Sequence, residues 1–166
     1  MKAVDIMTTK PVTIDSLATI AAAAKKMKQH QIRALIVDRI SEEDAYGIIT
    51  TTDISRVVAN GQHPEKTYVC EVMTKPCIVV NPNLSVEHIA RLFARAKIRI
   101  APVIKDKLLG IVSLTDVLTK SNDLNSIEAK LTPQEMVVLK KLPLDESMEN
   151  EWNIESDNLY ENWCSG

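Results

Sequence analysis

Apolar residues along this chain recur with two periods, and the whole arrangement occurs twice. In the first half Leu17, Ile20, Ala24 and Met27 follow at steps of three, four and three, the spacing of one helix face. In the second half Val86, Ile89, Phe93 and Ala96 repeat those steps. Short apolar runs flank each helical stretch: PVTI and CIVV before it, RALIV and RIAPV after it, then YGIIT and LLGIV. Their β-branched content predicts strands. TDISRVVAN and TDVLTK predict closing helices, with Thr52 and Thr115 as N-caps. Each half therefore reads strand, helix, strand, strand, helix.

The two halves are an internal repeat. VDIMTTKPVTI at Val4 recurs as CEVMTKPCIVV at Cys70. At an offset of 66, Met7 falls on Met73, Met27 on Phe93, Arg33 on Arg99 and Val37 on Val103. The offset drops to 63 at Gly47 and Gly110, because the first repeat has a loop three residues longer, DRISEEDAYG against IKDKLLG. The division expected is one repeat over 1–60, a second over 61–124, and a C-terminal helix with an acidic aromatic tail over 125–166. A unit of about 60 residues hides only ~60% of its chain surface and is marginal alone. The expected fold is thus α/β (α+β): two β-α-β-β-α repeats packed sheet to sheet about a pseudo-twofold axis, with two symmetric clefts.

Composition changes this picture little. The 166 residues are 45% hydrophobic and 25% charged, ordinary for a globular chain. No apolar run approaches the ~20 residues that span a bilayer. MKAVDIMTTKP lacks the apolar core of a signal peptide, and the three cysteines have neither metal nor redox spacing. The expectation is a cytoplasmic protein with free thiols, away from membranes, with Cys77 buried in a strand. Net charge is −2, but seven acids and no Lys or Arg follow Pro143, leaving residues 1–142 at +5. The dispersed basic residues do not predict nucleic-acid binding. Phosphate-loop, dinucleotide and zinc-site patterns are absent from the sequence, and His30, His63 and His88 lie apart. The expected answer is therefore no enzyme, no catalytic residues, no metal and no required cofactor.

The candidate chemistry lies in a stretch written twice, GIITTTD ending at Asp53 and GIVSLTD ending at Asp116. Helix stabilisation alone accounts for an acid here, at ~0.3–1 kcal/mol. A carboxylate also only accepts hydrogen bonds, which suits the two hydroxyl donors of a ribose. Thr50 and Ser113 add small hydroxyls, and the following helix offers unpaired N–H groups to a phosphate. Arg33 and Arg99 occupy equivalent places, and a guanidinium grips phosphate through two parallel hydrogen bonds.

The MTxKP opening, the IRIAPV strand and the closing GIVSLTD, in order and duplicated, resemble the cystathionine-β-synthase (CBS) domain. Two in tandem resemble the CBS pair, or Bateman module, over roughly residues 2–122. The resemblance implies a regulatory module that binds adenosine-containing ligands: AMP, ADP, ATP or S-adenosylmethionine. It carries ribose and phosphate contacts onto Thr50, Asp53, Ser113 and Asp116. Some adenylate-sensing members carry Arg at the places of Arg33 and Arg99, which favours an adenine nucleotide over the cationic S-adenosylmethionine. The family's adenine slot falls by position on Thr13 and Val79, with Leu35 and Ala101 beside them and packing in the core as their plainer role. Ile36 stands where the family usually has proline, as at Pro102, so the two slots are expected to differ. A homodimer is expected. The other readings are an adaptor that works through its tail with vestigial pockets, and an S-adenosylmethionine sensor.

Beyond the repeats, TPQEMVVLKKL has Thr132, Pro133 and Glu135 in a capping-box pattern and predicts a helix. Trp152, Tyr160 and Trp163 lie among the acids of the tail. Aromatic residues favour interfaces, so docking on a protein target or on the module itself competes with a solvated tail.

Overall fold

A computed structural model describes residues 1–120 and 124–142. The tail expected from Pro143 onward lies outside the described residues. The elements run α1 (Ala3–Ile6), β1 (Thr8–Thr9), β2 (Thr13–Ile14), α2 (Ile20–His30), β3 (Ala34–Val37), β4 (Gly47–Thr50), α3 (Thr51–Ala59) and α4 (Val69–Val72). They continue α5 (Val86–Ala96), β5 (Ile100–Ile104), β6 (Leu108–Ser113), α6 (Leu114–Lys120), α7 (Leu124–Lys130) and α8 (Pro133–Lys141). The fold is mixed α/β, with two three-stranded sheets of order β2-β3-β4 and β1-β6-β5 and a helical C-terminal extension.

The apolar periods produce the long helices much as the sequence predicts. Ile20 and Met27 are fully buried on α2, and Val86, Ile89 and Phe93 on α5. Leu17 departs from the predicted face: it precedes the helix and is 71% exposed. Thr19 stops the helix there, its hydroxyl accepting the Ala22 N–H at 3.1 Å. The helices end alike, at Gln31 and Lys97, each left-handed with φ 54°. The first strands are shorter than predicted. PVTI contributes Thr13–Ile14 to a sheet, while CIVV contributes a single bridge, Val80 to Val103. Cys77 is half-buried outside any strand, its N–H donating to the Tyr46 carbonyl.

Two one-turn helices and β1 were not legible in the periodicity, and they exchange partners between the repeats. At the start of the first repeat, Ala3 N–H donates to the Leu84 carbonyl at 2.8 Å, and Val86 N–H to Met1 at 3.1 Å. At the start of the second, Val69 N–H donates to Ala18 at 2.8 Å, and Ile20 N–H to Thr67 at 2.9 Å. These four bonds are the same two bonds shifted by 66 residues. The following segments behave alike. Thr8 and Thr9 pair antiparallel with Ile111 and Gly110, and Thr74 bridges Ile48. Each repeat's leading segment thus completes the other repeat.

Two compact units result, and they differ from the repeats of the sequence. One comprises Met7–Pro82 and Ile100–Ile111. A hydrophobic core there gathers Ile20, Met27, Leu35, Ile49, Val57 and Val69 from α2, α3, α4 and the first sheet. The other comprises Met1–Ile6, Asn83–Arg99 and the described residues from Val112 onward. There α5 packs against α6, α7 and α8, and α1 packs against α6. The predicted capping box holds α8 in place. Thr132 N–H donates to Glu135 Oε2 at 2.9 Å, and Glu135 N–H to the Thr132 hydroxyl at 3.3 Å. Glu135 Oε1 also accepts from Arg95 of α5 at 2.8 Å.

Candidate functional site

Each duplicated stretch is a strand that turns directly into a helix. The backbone at Thr50 is extended, and α3 begins at the next residue. The caps are thus Thr50 and Ser113 rather than the predicted Thr52 and Thr115, which lie inside α3 and α6. The reason is the carboxylate three residues on. Thr50 donates both its N–H and its hydroxyl to Asp53 Oδ2, each at 2.8 Å. Ser113 does the same to Asp116 Oδ2, at 2.8 and 2.7 Å, and its hydroxyl accepts the Asp116 N–H at 3.1 Å. An acid at this third helical position satisfies the backbone donor of the cap, the reciprocal arrangement of a capping box.

One oxygen of each carboxylate is committed to that role. The other, Oδ1, faces a cation: Arg56 at 3.6 Å from Asp53, Lys120 at 2.6 Å from Asp116. Both aspartates are 8% exposed. An ionised oxygen accepts two or more hydrogen bonds, so Oδ1 retains capacity for a hydroxyl donor beside its cation. Helix capping and the ion pair are thereby divided between the two oxygens of one side chain.

The arginines join these clusters through the backbone. Thr51 N–H donates to the Arg33 carbonyl at 3.0 Å, and Leu114 N–H to the Arg99 carbonyl at 2.7 Å. Arg33, Thr50 and Asp53 are therefore brought together at one strand-to-helix junction, and Arg99, Ser113 and Asp116 at the other. Both arginines are half-buried, and Nη1 of Arg33 is buried.

The expected base-contacting residues fall into two groups. Thr13 sits on the edge strand β2 opposite Ile36, half-buried, with its carbonyl accepting from Lys26 Nζ at 2.6 Å. Val79 is 49% exposed and immediately precedes the bridge at Val80. Leu35 and Ala101 are fully buried, in keeping with core packing. Lys26, Arg56 and Lys120 were missed from sequence. Asp116 and Lys120 have the helical spacing of four that signals an ion pair, and Asp53 and Arg56 the spacing of three. Lys26 could have been found by aligning the repeats, which places it against Leu92.

Comparison with known proteins decides the family. The profile of the CBS domain matches this chain twice, over residues 3–60 and 69–123. The chain belongs to the CBS-domain family and carries the domain in tandem. It is 35% identical over 130 residues to the CBS domain-containing protein YhcV of Bacillus subtilis, covering 77% of this chain and 91% of that protein. Among solved structures it is similar to a hexameric CBS-CP12 protein from bloom-forming cyanobacteria, at 51% identity and TM-score 0.72, covering 75% of this chain and 73% of the other. It also resembles the CBS pair of protein MJ0100, solved with 5′-methylthioadenosine and S-adenosyl-L-methionine, at 30% identity and TM-score 0.63, covering 71% and 93%. Among the described residues no helix is long and apolar enough to cross a membrane.

Proposed function

We propose that this CBS pair is a regulatory module that binds nucleotides, an adenosine nucleotide among them, through its strand-to-helix junctions. The observation that carries this reading is the paired use of Asp53 and Asp116. Each spends Oδ2 on its own cap and keeps Oδ1 beside a cation, 2.6 Å from Lys120 in the second repeat. In this account Oδ1 accepts from ribose hydroxyls, and Arg33 and Arg99 supply the positive charge for phosphate. That charge favours AMP, ADP or ATP over a cationic sulfonium. MJ0100 supports the adenosine part of the reading, since its CBS pair was solved with two adenosine-containing ligands. Signalling then follows from any difference in ligand affinity between two conformations of the module. Self-association is proposed as well, on the strength of the hexameric relative.

Isothermal titration calorimetry with AMP and ATP tests the assignment. Asp116→Ala is expected to weaken binding about tenfold or more, because a hydrogen bond to a charged group contributes ~1.5–3 kcal/mol. Equal affinity in wild type and variant removes Asp116 from the site.

A further inference from the structure

We infer that Lys26 makes the first-repeat site select a purine with an acceptor at its six-position. This rests on the nucleotide-binding reading above and extends it to the base.

β2 is the edge of its sheet. Its Val12 and Ile14 carbonyls face inward, accepting from Ile36 and Asp38 N–H at 3.2 and 2.9 Å. Alternation along a strand therefore turns the Thr13 carbonyl outward, toward the open edge. The second repeat has the same geometry. Val80 accepts from Ile104 N–H at 3.0 Å and donates to Pro102 at 2.9 Å, which turns the Val79 carbonyl outward. An outward carbonyl is an acceptor suited to the amino group of adenine. Thr13 lies two strands from Thr50 in the order β2-β3-β4, about 10 Å at ordinary strand spacing, the reach of a nucleoside whose ribose is at Asp53.

The repeats differ in sequence at one position of the helix that follows this segment. In the first repeat Lys26 of α2 donates to the Thr13 carbonyl at 2.6 Å and is itself half-buried. In the second, the equivalent position is Leu92 of α5, which has no polar hydrogen to give. A lysine carries three donors and no acceptor. With one spent on Thr13, two remain. The edge of the first site is converted from accepting to donating, so an adenine amino group meets a donor. The six-oxygen and N7 of an oxopurine meet a partner instead.

The test isolates the first site with Asp116→Ala and compares inosine monophosphate with AMP by calorimetry. Asp116→Ala is expected to bind inosine monophosphate at least about tenfold more tightly than AMP, the scale of one charge-assisted hydrogen bond. Adding Lys26→Leu, which copies the second repeat, is expected to reverse the order. Adding Lys26→Arg, which keeps a donor and guards against a packing defect, is expected to preserve it. The inference is overturned if Asp116→Ala binds AMP as well as inosine monophosphate, if it binds neither while the wild type binds AMP, or if Lys26→Leu leaves the preference unchanged. A wild-type protein that binds no adenosine nucleotide overturns the proposed function itself, and this inference with it.

Discussion

At the scale of single residues, Gly47 and Gly110 illustrate how position gives a residue its meaning. Both open a duplicated stretch, and both lie where a leading segment from the other repeat crosses. A Cβ on Gly110 would stand 2.6 Å from the Thr8 carbonyl and 2.9 Å from Met7 Sδ. A Cβ on Gly47 would stand 2.8 Å from Met73 Sδ, and the nearest backbone atom, the Thr74 carbonyl, is 3.4 Å away. A thioether swings aside more readily than a strand shifts. Gly110→Ala is therefore expected to cost about 1–3 kcal/mol, the range for overpacking, and Gly47→Ala less. Urea denaturation of the two variants checks the order. Equal losses would mean that β1 yields as easily as a methionine side chain. Sequence comparison of the repeats reveals that these glycines matter. It does not reveal what touches them, because the neighbours lie about a hundred residues away in one case and about 26 in the other.

At the scale of elements, the C-terminal helices are tied to α5 by charge as well as by packing. Arg95 and Arg91 approach Glu135 at 2.8 and 3.8 Å, and Lys130 approaches Glu87 at 3.1 Å. The Thr132 backbone N–H, then Arg95, hold the Glu135 carboxyl below its ordinary range. The Glu87 carboxyl is held down to about 2, first by its own backbone N–H, then by the Ser85 hydroxyl and Lys130. A depressed folded-state value means that the unfolded chain takes up protons first as pH falls. The stabilisation is complete above the ordinary value of 4.5 and is lost as pH falls toward about 2. Denaturant midpoints measured through that window should drop, and Glu87→Gln should flatten part of the drop. An unchanged slope in Glu87→Gln would show that Lys130 and Ser85 do not hold the carboxylate. The helix itself was legible from Thr132, Pro133 and Glu135, since capping is local. Its docking was not, because Arg91 and Arg95 lie some 40 residues upstream of their acid.

At the scale of the whole molecule, the repeats of the sequence exchange their opening segments. The hydrogen bonds of Ala3 with Leu84 and of Val69 with Ala18 are symmetric counterparts. So are the pairings of Thr8 with Ile111 and of Thr74 with Ile48. Periodicity reports which face of an element is apolar, and so α2, α5 and most strands were legible. It carries no information about which repeat an opening segment will join. Because each half lends the other its edge, residues 1–60 or 61–124 expressed alone should lack stable structure, while 1–142 should unfold in one cooperative transition. Circular dichroism and hydrogen exchange on the three chains would check this, and a well-folded single half would contradict it. The same duplication gives the module two equivalent carboxylates, Asp53 and Asp116, and the proposed function gives each a ribose to hold.

The most direct test of that central claim is a calorimetric comparison of AMP with its 2′,3′-dideoxy analogue, which differs only in the ribose diol. The account predicts that the wild-type protein favours AMP about tenfold or more, and that Asp53→Ala/Asp116→Ala no longer distinguishes the two. Equal affinity of the wild-type protein for both nucleotides would contradict it.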